Sequence, residues 1–342
     1  MNVTLLAPEE LTHPTGGFRF NRRIADELSD DSRFNYVHAE CSETLSEDAP
    51  LFGMLEDVDL LLLDSLYLPC EEFQRYLVRL GVRFGWIVHA VASQMEGRDQ
   101  PSVAERRALE RGTLAVVPSR YMRDWVKRWT AVSSVVVVSP AVDAPPSVSR
   151  AAAADAVARI TNGVWDRASL VLLTVGSLSP VKNQRWLAEL LSTRKDFHWI
   201  LVGSRDVDPE YAASFDECCR RLGIDGSVTI STPLAHHDLM VLMQGADAYV
   251  QPSRFESFGM AAAEARMAGL PVLASPVGGL PEAVGGDGCI CALDDPSAWH
   301  RALDRVANGA LPRRPEPIPG GPARRVGPIL MNALEEECGM LR

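Results

Sequence analysis

Short apolar runs alternate with longer amphipathic stretches along the whole chain. In the first half, the runs at 3–7, 36–39, 58–64, 86–90, 115–118 and 135–139 predict strands. Between them, "NRRIADELSD", "CEEFQRYLVRLG" and "SRYMRDWVKRWT" have the apolar spacing of helices with one buried face. Such a strand–helix rhythm predicts a buried parallel sheet with helices on both sides. Near Ala144 the pattern breaks, and "APPSVSRAAAADAVARITNG" reads as a linker running into a helix. The rhythm then restarts, with strands predicted at 170–175, 199–203, 228–230, 248–251, 272–275 and 290–293. The expectation is an α/β protein with two doubly wound domains facing across a cleft, at 1–145 and 169–308, joined by a linker and entry helix at 146–168. Residues 309–342, rich in Pro, Gly and Arg before a helix-like "ILMNALEEECGML", are expected to return to the first domain. In such sheets, ligands collect beyond the carboxyl ends of the strands.

At 342 residues, each half is long enough to bury its own core. The longest apolar runs, Leu60 to Leu63 and Val135 to Val138, fall far short of a membrane span. "MNVTLLAPEE" lacks a basic n-region and reads as a first strand, so a cytoplasmic location is expected. A net charge of −11 argues against nucleic acid as the main partner, because duplex binding needs clustered cations. The seven cysteines show no zinc-like spacing and read as small apolar residues in a reducing compartment.

The stretch "SRFESFGMAAAEARMAGLP" places two glutamates, Glu256 and Glu264, around the start of an alanine-rich helix that ends at Gly269. The helix start, near Ser257, Phe258, Gly259 and Met260, offers backbone N–H groups and a partial positive charge, a natural anion site. Glu264 lies about 7.5 Å up the axis from Gly259. A diphosphate on the helix tip would therefore bring a ribose beside Glu264 and a sugar beside Glu256. Two acids flanking one anion site suit a nucleotide sugar.

"PSRFESFGMAAAEARMAGLPVLASPVGGLPEAV" resembles the signature segment of family 4 retaining glycosyltransferases of the GT-B fold, with Glu256 and Glu264 matching that family's E-x7-E pair. The resemblance implies two Rossmann-like domains. It also implies that Glu256 holds donor-sugar hydroxyls, the amides of 257–260 hold the diphosphate, and Glu264 holds the ribose. "LLTVGSLSPVKNQRWL" resembles the family's cation-bearing loop, with Lys182 at the lysine position and Ser177 where many members carry arginine. A serine cannot replace a bidentate guanidinium, so phosphate binding leans on Lys182 and the helix tip. Gly16 and Gly17 after the first strand, Gly203 after the "WILVG" strand, and His89 at the end of "GWIVH" complete the candidate donor-side residues.

Three further features compete with blander readings. His236 and His237 in "PLAHHDLM" resemble metal ligands but are adjacent and lack a third ligand nearby, so a structural role is favoured. Tyr121, Trp125 and Trp129 are spaced four apart among cations. Peripheral membrane contact is one reading of this stripe, and packing against the sheet is the favoured one. "SQMEGRDQPSV" near Glu96 is a candidate lip for an unidentified acceptor. Taken together, the residues point to a retaining, metal-independent transfer from a nucleoside diphosphate sugar, catalysed by His89, Glu256 and Lys182 without a cofactor. A non-catalytic homologue partnering another transferase and a nucleotide-sugar epimerase are the rivals.

Overall fold

The computed structural model describes residues 1–9, 15–39, 57–166, 168–286, 288–311 and 325–340, the last residue by backbone alone. The chain divides into two compact units, Met1–Ala141 with Arg324–Arg342, and Val142–Ala323. The described residues of the first unit contain strands β1 (Val3–Ala7), β2 (Phe34–His38), β3 (Leu60–Asp64), β4 (Phe84–Ile87), β5 (Leu114–Val117) and β6 (Ser134–Val137). Those of the second contain β7 (Leu170–Val175), β8 (Phe197–Val202), β9 (Val228–Ser231), β10 (Ala248–Gln251), β11 (Val272–Ala274) and β12 (Cys289–Ile290).

Both sheets are parallel throughout, ordered β2-β1-β3-β4-β5-β6 and β12-β11-β10-β7-β8-β9. These are two doubly wound α/β units of the GT-B class. In a sheet covered on both faces, successive residues are buried whichever way they point. Leu60 to Leu63 are accordingly all inaccessible to solvent. Each fully buried leucine contributes roughly 1.5–3 kcal/mol relative to exposure. Observed strands match the predicted runs to within two or three residues. The largest shift is in β4, at Phe84–Ile87 rather than 86–90, and the last strand pairs only over Cys289–Ile290 rather than 290–293.

Helices begin where short polar side chains can take the place of a missing carbonyl. Ser119 accepts from the Met122 amide, Ser149 from Ala152 and Asp208 from Tyr211. The last described helix, Val326–Met340, buries Val326, Leu330, Met331 and Leu334 in the first unit's core beside Phe20, Ile24 and Leu28 of the Gly16–Leu28 helix. Of the stripe on the Arg120–Trp129 helix, Trp125 is buried while Tyr121 and Trp129 are half-buried, and Trp125 Nε1 donates to the Asp99 carbonyl at 2.7 Å. No described helix is long and apolar enough to cross a membrane. One sequence expectation fails here. Cys70 is disulfide-bonded, so it is not a free apolar thiol like Cys218, Cys219, Cys291 and Cys338.

Candidate functional site

In the second unit the strand order turns back between β7 and β10, so the loops leaving these two strands flank the same point of the sheet edge. The first loop carries Lys182 and the second Glu256. Lys182 Nζ donates to Glu256 Oε1 at 2.6 Å, across 74 residues of sequence. Ser253 Oγ donates to the same oxygen at 2.9 Å, and so does Gln251 Nε2. Among the described residues none reaches Oε2 with a hydrogen bond. Tyr249 OH donates to Gln251 Oε1 at 2.9 Å, which turns the amide nitrogen of Gln251 toward the carboxylate. Burial, reinforced by the negative charge of Glu256, pushes the Tyr249 phenol well above its ordinary pKa and keeps it a neutral donor.

The two loops are stitched together. Asn183, in the left-handed conformation at φ 60°, donates from Nδ2 to the Pro252 carbonyl at 3.1 Å and accepts from Arg254 Nε at 3.2 Å. The Arg254 amide donates to the Val181 carbonyl at 2.7 Å. Ser177 contributes its carbonyl, which accepts from Gln184 Nε2 at 3.0 Å. A Cβ at Gly203 would sit 2.1 Å from the Gly176 carbonyl oxygen, so only glycine lets the loops after β7 and β8 approach this closely.

The Met260–Met267 helix starts from Gly259, whose φ of 104° is a conformation side chains disfavour. Its first amides have no intrahelical acceptor and form the positive end of the helix. Phe258 does not face this tip with its ring, which is buried against Val142, Ala263, Met267 and Ala283, with Met260 packed alongside. Two glycines brace the preceding loop from outside. A Cβ at Gly278 would overlap the Glu256 carbonyl at 1.8 Å, and one at Gly279 would meet the Ser257 carbonyl at 2.4 Å. The Gly279 amide also donates to the Glu256 carbonyl at 2.8 Å.

Glu264 is 1% exposed, and its Oε1 lies 3.8 Å from His236 Nδ1 at the start of the His236–Gly245 helix. His236 is therefore a neighbour of the second glutamate, a contact that the structural role expected for it did not specify. Among the described residues no three His, Cys, Asp or Glu side chains gather as metal ligands.

In the first unit the strand order turns back between β1 and β3. Residues 10–14 lie outside the described residues; Gly16 and Gly17 open the first described helix after β1. Gly17 lies against the ring of His89, where a Cβ would come within 2.9 Å of Cγ and Cδ2. His89 Nε2 is 3.0 Å from Asn21 Oδ1 and 3.3 Å from Asp64 Oδ2, and Asn21 Nδ2 donates to Asp64 Oδ2 at 2.5 Å. Burial alone would raise the Asp64 pKa. The charge and hydrogen bond of His89, the Leu66 amide and Asn21 together outweigh it and hold the carboxyl below its usual value. Further along, Arg98, Gln100, Pro101, Ser102, Val103 and Arg106 line a cavity of about 300 Å³ in the segment read as an acceptor lip.

Residues 169–308 match the family model described as Glycosyl transferases group 1. This stretch is similar to a glycosyltransferase group 1 domain. It contains Ser177, Lys182, Gly203, Glu256 and Glu264 with the network around them. The chain is 36% identical over 191 residues to the D-inositol 3-phosphate glycosyltransferase of Streptomyces avermitilis, covering 51% of this chain and 39% of that one. It is 27% identical over 237 residues to the protein of that name from Corynebacterium aurimucosum, covering 66% and 56%. The chain thus spans about two fifths to just over half the length of these curated relatives. Among solved structures, Anabaena Alr3699/HepE in complex with UDP and glucose superposes with a TM-score of 0.74 at 17% identity, covering 100% of this chain and 99% of that one. A sucrose-phosphate synthase from Thermosynechococcus elongatus gives 0.70 at 20% identity, covering 99% and 98%. These structures share the fold.

Sequence reasoning missed Asp64, Asn21, Ser253, Gln251, Tyr249 and the proximity of His236 to Glu264. Asp64 had left a signal: it is the one charge ending a run of four leucines.

Proposed function

We propose that the protein is a glycosyltransferase of the family 4 type, moving a sugar from a nucleoside diphosphate sugar to an acceptor hydroxyl with retention and without a metal ion. The observation that carries the reading is the Lys182–Glu256 pair at the sheet's turning point, beside a helix N-terminus, inside the stretch similar to a group 1 domain. Lys182 and the amides of the helix tip compensate charge on the departing diphosphate. Glu256, with Oε2 open, accepts from hydroxyls of the donor sugar, and Glu264 accepts from the ribose. His89 is the first unit's own candidate for holding a sugar hydroxyl. The C1–O bond to the β-phosphate breaks with its electron pair going to the phosphate oxygen. The acceptor oxygen bonds to C1 from the same face, and its proton passes to that phosphate oxygen. No protein nucleophile is required. The UDP and UDP-glucose complexes of HepE make UDP-sugars the first donors to try. The 300 Å³ cavity with Arg98 and Arg106 supports placing acceptor recognition in the first unit.

The test is a panel of UDP-, GDP- and dTDP-sugars scored by nucleotide release and by sugar-nucleotide isomers. Release that rises with an added acceptor mixture supports the transferase; isomerisation without release supports an epimerase, and neither leaves only a non-catalytic role. Glu256→Ala should abolish release while nucleoside diphosphate still binds, and unchanged turnover would reject the assignment.

A further inference from the structure

We propose that Asp64 and Asn21 are positioning residues that lock His89 with its proton on Nε2, so that Nδ1 is the ring atom left to meet a ligand. The inference rests on the transferase reading for its role, but not for its geometry. Asn21 settles the direction of the bonds. Its Nδ2 donates to Asp64 Oδ2 at 2.5 Å, so its oxygen is the atom left facing His89 Nε2 at 3.0 Å. Turning the amide over would set its oxygen against a carboxylate. Both neighbours of Nε2, the Asn21 oxygen and Asp64 Oδ2 at 3.3 Å, are therefore acceptors, and Nε2 must carry hydrogen.

The rest of the ring is held as firmly. The His89 amide donates to Ser65 Oγ at 3.2 Å, Phe20 meets the ring edge-on at 5.6 Å, and the ring lies so close to Gly17 that a Cβ there would come within 2.9 Å of it. Asp64 in turn is 1% exposed and anchored by the Leu66 amide on Oδ1 at 2.8 Å. Among the described residues it is the charged group within ion-pair range of the imidazole. Nδ1 makes no hydrogen bond to them. A ring fixed in this way offers Nδ1 as an acceptor when neutral and as a donor when protonated. The dyad thus supplies either a hydroxyl acceptor or a cationic edge at one defined atom.

The experiment uses the full chain labelled with ¹⁵N-histidine. Long-range ¹H–¹⁵N spectra at neutral pH should show His89 protonated on Nε2, and a bare Nε2 with protonated Nδ1 would overturn the proposal. Asp64→Asn, which preserves the Leu66 contact, turns an amide N–H toward Nε2 and should move part of the imidazole proton to Nδ1 in the same spectra. With a donor found by nucleotide release, its kcat should fall about 10–100-fold while donor KM stays within about threefold, as for other partners that orient a histidine. In a His89→Ala background, Asp64→Asn should change nothing more; a further loss there would mean that Asp64 serves the fold rather than His89. If Asp64→Asn does not fold, Asn21→Ala takes its place: Asp64 Oδ2 still faces Nε2, so the proton should stay there, and a shift to Nδ1 would refute the idea. A wild-type protein that turns over no donor would defeat the transferase reading, yet the spectra would still decide the tautomer.

Discussion

Replacing Glu256 with Gln should strengthen the binding of UDP, because Lys182 must leave Glu256 to reach a diphosphate. The contact is 2.6 Å long, between a lysine 28% exposed and a glutamate 11% exposed. Opposite charges about 4 Å apart attract by roughly 4 kcal/mol at an effective dielectric near 20. Desolvation of both groups and the partial exposure of the lysine cancel most of this, leaving roughly 1 kcal/mol net. A ligand that breaks the pair forfeits that amount, and the Gln variant no longer imposes it. UDP should therefore bind roughly fivefold tighter to Glu256→Gln.

Lys182→Ala should act in the opposite direction. It removes a charge-assisted hydrogen bond to phosphate worth roughly 1.5–3 kcal/mol, which is about a 10–150-fold loss in affinity. Isothermal titration calorimetry with UDP, and with GDP in parallel, measures both variants against the wild type. Raising the salt should shrink the advantage of Glu256→Gln, since the pair is only partly shielded from solvent. If Glu256→Gln instead weakens nucleotide binding by tenfold, the pair is a fixed strut and Lys182 does not exchange partners.

Two further outcomes follow from single contacts. Gly278→Ala forces a side chain onto a φ of 56° and into the Glu256 carbonyl, and should cost roughly 2–5 kcal/mol; a melting temperature within about 2 °C of wild type would refute this. The depressed pKa of Asp64 means its contribution is full above the unfolded value near 4 and fades as pH falls through the folded value, so Asp64→Asn should flatten the acid limb of urea midpoints measured below about pH 4. An acid limb as steep as in the wild type would contradict the assignment.

Much of the fold was legible because buried parallel strands write themselves as unbroken apolar runs, and β1, β7 and β10 coincide with theirs from end to end. Strand order was not legible. Alternation predicts that strands lie side by side, but nothing in the text from 170 to 251 says that β10 pairs with β7 rather than β9. The Lys182–Glu256 contact depends on that pairing, so both residues could be named separately and their ion pair could not. Tyr249 and Gln251 hid for a similar reason. In a strand whose residues are all buried, a Tyr and a Gln two apart read as ladder positions, and only coordinates reveal one orienting the other. His236 was judged as a metal ligand and discounted for want of a third one, although its partner was a carboxylate on another helix.

The two units, though different in strand order, solve one electrostatic problem alike. Each places an acid at or soon after the end of a strand beside its turning point: Asp64 as the last residue of β3, and Glu256 five residues after β10 ends at Gln251. A carboxylate so deeply set needs donors, and a second cation would over-compensate it and compete for an anionic ligand. In both units a neutral amide supplies the donor, Asn21 to Asp64 and Gln251 to Glu256. The far end of each amide is occupied as well, by His89 Nε2 in one case and Tyr249 OH in the other, so neither can turn over without losing two bonds. What remains to balance the acid is one group able to change partners or protonation, His89 in the first unit and Lys182 in the second. Putting a carboxylate in place of either amide would set two anions within hydrogen-bonding distance, and the movable group would then be pinned to its own protein.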